Sequence, residues 1–331
     1  ALVSRPLVTA CTMLFLVWYS CRWVPGLPVF SKGVKETVKF GLNVTGFTTT
    51  DYLAKAADRV GLGYTVGARD LGLYHNAATV YENALAVVTM PLHSVAVATL
   101  SKLRDNLEEL RRAWSTALSS LAFFAMPAFV ILAVIGPDLI VLLLGAKWIG
   151  ASTLLTLFAL RGPAQVIERT LGWLHVAAGR PDRWMRWGVV SGVVQVAAIL
   201  CGLPFGAVGV AISYGVCTYI LFMPAIAYAG QPLQIGLKHL MQAIGPQLIG
   251  SLVAAAAGFT LRIYYVSDFP PFQRMATLVA ACGVAYVMMT VGIFGMTKPF
   301  EVAMRLLRDF LPGGLSRLLG IRSVNYERRA S

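Results

Sequence analysis

The sequence predicts an all-α protein, a polytopic bundle of about nine membrane-spanning helices. Three observations predict it. Hydrophobic residues make up 57% of the chain and charged residues 13%, about half the charge of a typical soluble domain. Mean hydropathy is +0.69, carried by apolar runs of roughly 20 residues, the length that crosses a hydrocarbon core of about 30 Å. The basic residues between those runs fall mainly on alternate connections, as the positive-inside rule requires of a multi-pass chain.

The nine candidate spans are 7–24, 40–60, 74–96, 113–135, 151–177, 185–203, 207–228, 239–264 and 274–295. The first lacks a cleavage-site pattern and follows Ala1 rather than a start methionine, so it reads as the last helix of an earlier half in a longer chain, not as a secretory signal. Segment 1–38 then comprises that helix and the start of a basic, amphipathic stretch, Ser31–Phe40 (SKGVKETVKF). The second span is the least apolar, because GFTTTDYLAKAADRVGLG (46–63) holds Asp51, Lys55, Asp58 and Arg59. Charge bias decides that it crosses. With the first span running outside to inside, nineteen of the 28 Lys and Arg residues fall on the cytoplasmic side and only Arg5, Arg69, Lys147, Arg262 and Arg274 on the other. Removing the second crossing destroys that bias.

The third span carries a lone acid, Glu82. Ala98–Trp114 (ATLSKLRDNLEELRRAW) is again basic and amphipathic, as is Pro299–Leu311 in the tail. These stretches and Ser31–Phe40 read as helices on the cytoplasmic surface, where Lys and Arg meet anionic headgroups, although solvated linker helices fit the pattern equally. The fifth span, RGPAQVIERTLGWLH, repeats the charged stripe of the second. The remaining spans are apolar. Residues 39–296 thus form the transmembrane bundle, and 297–331 a cytoplasmic helix and tail. The longest outer connections, Leu62–Leu73 and Ile135–Gly150, are too short for a catalytic domain. Trp18, Trp23, Trp114, Trp148, Trp184 and Trp187 fit an interfacial belt.

Other classes are disfavoured. The five cysteines lie in apolar runs without disulfide or metal-knuckle spacing. The net charge of +13 is dispersed, not gathered on a soluble face for nucleic acid. No P-loop is present, and nothing calls for a metal or cofactor.

Three patterns resemble the polysaccharide-transporter (Wzx-like) branch of the multidrug/oligosaccharidyl-lipid/polysaccharide flippase superfamily. The first runs from Phe40-Gly41 through Asp58 and Gly61 to Gly67, Leu71-Gly72-Leu73-Tyr74 and Ala77. The second is LLLGAKWIGA, with Gly145, Lys147 and Trp148. The third is GAVGVAISY, Gly206–Tyr214. Their order and spacing span residues 39–295. At Ala98–Leu103 (ATLSKL) the chain lacks the proline common before the serine. The resemblance implies a portion of a fold of twelve to fourteen helices, beginning near the sixth of fourteen. It also implies a non-enzymatic transporter that flips polyprenyl-pyrophosphate-linked oligosaccharide across the bacterial inner membrane for exopolysaccharide, capsule or O-antigen synthesis. Membrane lipids surround it, its C-terminus is cytoplasmic, and polymerase and export machinery are its expected partners. Competing readings are a multidrug or peptidoglycan-precursor transporter of the same superfamily, or a membrane-embedded polymerase or glycosyltransferase.

Ionisable groups within a membrane are costly and usually face a cavity or a partner. At about 100° per residue, Asp51, Lys55 and Asp58 fall within about 60° of arc, with Arg59 at its edge. Asp58 and Arg59 are close enough to the outer end for headgroup or water contact to compete with a cavity role. On the fifth span Arg161, Gln165 and Glu168 share a face beside Arg169, joined by His175 if the helix continues through Pro163. A self-neutralising network along one helix is the competing explanation. With a pyrophosphate-linked substrate, Lys55, Arg59, Arg161, Gln165 and Arg169 are candidate binding residues, since cationic donors make charge-assisted bonds to phosphate. Asp51, Glu82 and Glu168 are candidates for a coupling cation or proton.

Overall fold

The computed structural model describes residues 4–21, 32–103 and 106–296. Pro299–Leu311 and the tail lie outside the described residues, and Asp51 and Lys55 fall on a described helix but their side chains are not among the described ones. Among the described residues the chain is all-helical: α1 (Ser4–Cys21), α2 (Lys32–Thr65), α3 (Gly67–Lys102), α4 (Leu107–Leu144), α5 (Ala151–Ala177), α6 (Pro181–Gly202), α7 (Gly206–Gly230), α8 (Leu237–Tyr264) and α9 (Pro271–Val287), the last extended by a π-helical turn, Met288–Ile293. Each expected span coincides with one helix. The chain divides into two compact units, Ala1–Leu42 and Asn43–Ser331, and the packing described below belongs to the second.

The amphipathic stretches are the main correction. Lys32–Phe40 is not a separate surface helix but the opening turns of α2, and Ala98–Trp114 is divided between the end of α3 and the start of α4. The expected outer connection Leu62–Leu73 shrinks to Val66, and α4 runs on through most of Ile135–Gly150 to Leu144. Helices continue beyond the apolar segment because polar residues keep the backbone hydrogen-bonded as well as apolar ones do; hydropathy marks where a helix meets lipid, not where it ends.

Local signals fix the ends. Asn106 caps α4 by accepting a bond from the Glu109 N–H at 3.3 Å, and Glu108 and Glu109 in the first turn complement the helix dipole. Gly145, at φ 90°, ends the helix in a conformation disfavoured for other residues. Proline does not break α4 at Pro127 and Pro137 or α5 at Pro163. In a membrane, neighbouring helices can compensate for the lost backbone bond.

Helix α4 organises the bundle, packing on α3, α5, α8 and α9, while α5 also packs on α3 and α7, and α6 on α7. Gly162 of α5 lies so close to α4 that a Cβ there would stand 2.3 Å from the Phe129 ring, the small-residue approach typical of membrane helix pairs. Trp114, expected at the interface, is fully buried in this core. A second apolar cluster joins α4, α8 and α9 through Val134, Ala254, Leu278 and Cys282.

At each end of the bundle, helix ends pack on one another. Gly61 abuts Leu203, and Gly150 abuts Leu73, with a built Cβ at 3.0 and 3.2 Å. At the opposite end Arg111 bonds the Leu233 carbonyl and Gln234 Oε1, both at 2.7 Å, and Arg183 bonds the Tyr228 carbonyl at 2.8 Å. Among the described residues, four stretches are long and apolar enough to cross a membrane: Leu107–Leu144, Asp182–Leu233, Leu237–Tyr264 and Pro271–Ile293. Helices α2, α3 and α5 are equally long but more polar, and these three, with α7, wall the site described next.

Candidate functional site

Four helices enclose a cavity of about 170 Å³. Helix α2 contributes Asp58. On α3, Tyr74, Ala78, Tyr81, Glu82 and Leu85 recur at helical spacing and so face one way. On α5, Phe158, Arg161, Gln165 and Arg169 do the same, and α7 adds Tyr214.

Arg161 lies at the centre, only 7% exposed. Its Cζ stands 4.2 Å from the ring centroid of Tyr214, 5.2 Å from Tyr81 and 5.6 Å from Phe158. Aromatic rings attract a cation but do not accept bonds as oxygen does, and Nε and Nη1 of Arg161 are buried without a hydrogen-bond partner among the described residues. Most buried polar atoms are satisfied, and an exception calls for an explanation.

The carboxylates nearby are engaged elsewhere. Asp58, 7% exposed, accepts the Tyr74 hydroxyl at 2.8 Å and the Arg59 backbone N–H. The Tyr81 hydroxyl donates to Gln165 Oε1, which fixes a ring of the cage. Glu82 meets Arg59 at 3.5 Å, with both side chains about half exposed, a pair of little energetic weight. The site therefore presents two arginines, one of them buried and under-satisfied, in a polar space enclosed by aromatic rings.

The structure brings together Arg161, Gln165, Arg169 and Glu82 as lining and sets Arg59 against Glu82. Asp58, for which headgroup or water contact competed with a cavity role, is buried in the cavity wall. Glu168 does not share this lining, nor does His175, although α5 continues through Pro163. Both line a second, smaller cavity beside α6. Arg161, Gln165 and Arg169 advance around α5 in steps of four, and Glu168 falls behind them on the α6 side. Sequence reasoning missed the aromatic cage. Its only trace was that Tyr74 and Tyr214 end two segments quoted for the family resemblance.

A separate charged cluster is structural. Asp138, 3% exposed, lies within α4 rather than in an outer connection. It accepts bonds from Arg262 of α8 at 2.8 Å and from Arg274 of α9 at 2.9 Å.

Residues 1–153 match the family model described as "Polysaccharide biosynthesis protein". The chain is 23% identical over 292 residues to Teichuronic acid biosynthesis protein TuaB of Bacillus subtilis (strain 168), covering 86% of this chain and 60% of that protein. It is 26% identical over 208 residues to Lipopolysaccharide biosynthesis protein WzxC of Escherichia coli (strain K12), covering 61% and 42%. The chain thus spans about half the length of the curated relatives it matches. The solved structure of Lipid II flippase MurJ in its inward closed conformation matches with a TM-score of 0.59 at 16% identity, covering 75% of this chain and 52% of that one, a likeness of fold.

Proposed function

We propose that this chain, a relative of the polysaccharide-transporter (Wzx-like) flippases, forms the part of a membrane transporter that carries the pyrophosphate headgroup of a lipid-linked oligosaccharide across the bacterial inner membrane. The observation that carries the reading is Arg161, a guanidinium buried among three rings with two nitrogens unpartnered among the described residues. A buried charge without a bonded counterion is costly, and an anionic ligand removes that cost. Phosphate oxygens suit it, since guanidinium donors match their geometry and charge-assisted bonds are the strong ones.

Each residue then has a part. Arg161 and Arg169 hold the pyrophosphate and Gln165 orients it. Tyr81 and Tyr214 brace Arg161 while their ring faces meet apolar parts of the substrate. Arg59 stands beside the cavity paired to Glu82, which is also a candidate for a coupling cation. Lys55 and Asp51 belong to the same α2 stripe and keep their proposed roles in substrate and ion binding. Movement of the substrate is translocation without covalent chemistry, with the C-terminus on the cytoplasmic side and polymerase and export machinery downstream.

Complementation of a flippase-deletion strain tests the reading, with membrane expression controlled. Arg161→Ala removes bonds to a charged group worth about 1.5–3 kcal/mol, so transport should fall tenfold or more, and Arg161→Lys should restore it only partly. Full transport by the Ala variant sinks the reading. The peptidoglycan-precursor alternative, motivated by the fold likeness to MurJ, predicts rescue of a lipid II flippase deletion instead.

A further inference from the structure

Away from the Arg161 site, the seam where α8 and α9 pack on α4 gathers three polar atoms without a hydrogen-bond partner among the described residues: Gln247 Oε1, Ser251 Oγ and the Tyr286 hydroxyl. All three residues are deeply buried, at 0%, 4% and 2% exposure. Gln247 and Ser251 stand one turn apart on the face of α8 that also holds Gly250 and Ala254. Tyr286 of α9 lies against that face, since a Cβ on Gly250 would stand 3.4 Å from its Cε2, a ring carbon next to the one that bears the hydroxyl. The Tyr286 ring also meets Phe123 of α4 at 5.5 Å. Ser119, one turn before Phe123, receives the Gln247 amide.

Two details show that these atoms are left over by the local bonding. Gln247 Nε2 donates to the Ser119 carbonyl at 3.2 Å and to its hydroxyl at 2.8 Å. A carbonyl can only accept, so the amide cannot be flipped, and Oε1 is the prong turned away from Ser119. Thr89, Thr218 and Thr290, also buried, spend their hydroxyl protons on the carbonyl one turn back. Ser251 does not.

We infer that this seam binds an internal water molecule, held between Gln247 Oε1, Ser251 Oγ and the Tyr286 hydroxyl. The donor and acceptor count carries the inference. Gln247 Oε1 only accepts, whereas the two hydroxyls can do either. A water that donates to Gln247 and to Ser251 and accepts from Tyr286 satisfies all three groups with three bonds, the number a buried water typically makes. An ion suits the seam poorly, because none of the three groups is charged, and an apolar occupant would leave every oxygen unpaired at a cost. A π-helical turn, Met288–Ile293, begins two residues beyond Tyr286, and such turns are frequent at functional positions. Its Thr290 presses on α8, with a Cβ built on Gly250 standing 2.7 Å from the threonine methyl. The water thus fastens the α8–α9 hairpin to α4 at a second level, apart from the Asp138 clamp. Nothing in this rests on the headgroup reading.

Radiolytic hydroxyl-radical labelling tests the seam directly. A brief X-ray pulse splits water where it sits, so a buried side chain is labelled quickly only if water lies against it. The intact protein in lipid nanodiscs is exposed in buffer made with oxygen-18 water, and the modified residues are read by mass spectrometry. After correction for intrinsic reactivity, Tyr286 should be labelled about tenfold faster than Leu118 and Leu278, which are equally buried in apolar surroundings. Gln247→Leu combined with Ser251→Ala removes both acceptors and should slow labelling of Tyr286 about fivefold. If that double variant does not fold, Ser251→Ala alone decides, with a fall of about twofold expected. Labelling of Tyr286 no faster than the two leucines means a dry seam and overturns the proposal, as does unchanged labelling in the folded variant.

Discussion

Arg161 shows how one residue inherits its properties from three helices. Its position on α5 was legible from composition, because a charge inside a span needs a cavity or a partner. Its cage was not, because Tyr81, Phe158 and Tyr214 come from α3, α5 and α7 and aromatic residues are common in any membrane helix. The neighbouring Gly162 is the residue whose size matters most. Gly162→Ala would press a methyl group into the buried Phe129 ring, which a built Cβ approaches at 2.3 Å. Overpacking of this kind costs about 1–3 kcal/mol. Since Phe129 packs against Tyr81 at 5.6 Å, both the melting temperature and headgroup transport should fall, and a thermal shift assay beside the complementation assay checks them together. An unchanged melting temperature would mean that α4 and α5 separate freely at this crossing.

At the scale of elements, α8 and α9 illustrate how a membrane protein attaches a helical hairpin. Between lipid-facing helices little hydrophobic driving force is available, so packing and polar bonds hold them. Asp138 binds both hairpin arginines, and Gln247 of α8 donates to the Ser119 hydroxyl of α4 at 2.8 Å. Asp138→Ala leaves Arg262 and Arg274, each about one-fifth exposed, without their shared carboxylate. Breaking a buried pair in this way costs about 3–5 kcal/mol. Unfolding followed by fluorescence should show α8 and α9 detaching first, with faster proteolysis at Ser267–Phe269. Arg111→Ala, at the other end of α4, should be milder, because its bonds are to a neutral carbonyl and amide. If Asp138→Ala melts like the parent protein, the clamp is dispensable. That Asp58 of α2 and Arg161 of α5 share one polar space was legible at this scale. The split of Glu168 from Arg161 was not, since a helical wheel states angles around one axis and not which neighbour lies at each angle.

For the whole molecule, topology is the property most open to direct measurement. Lys102 and Ser267 are both exposed, at the end of α3 and between α8 and α9. In a cysteine-free background, a membrane-impermeant maleimide added to intact cells should label Ser267→Cys and not Lys102→Cys, and inverted vesicles should reverse the pattern. Labelling of both from one side would refute the alternation of nine crossings.

The amino-acid sequence by itself determined the class and, among the described residues, the order of the helices. These follow from a local quantity, apolar length, which each segment satisfies alone. The tertiary structure decided where the helices end, which charges share a space, and which residues surround Arg161. Those depend on groups far apart in the chain meeting in a packed interior, where a charge is set by what lies against it rather than by the residues beside it in sequence.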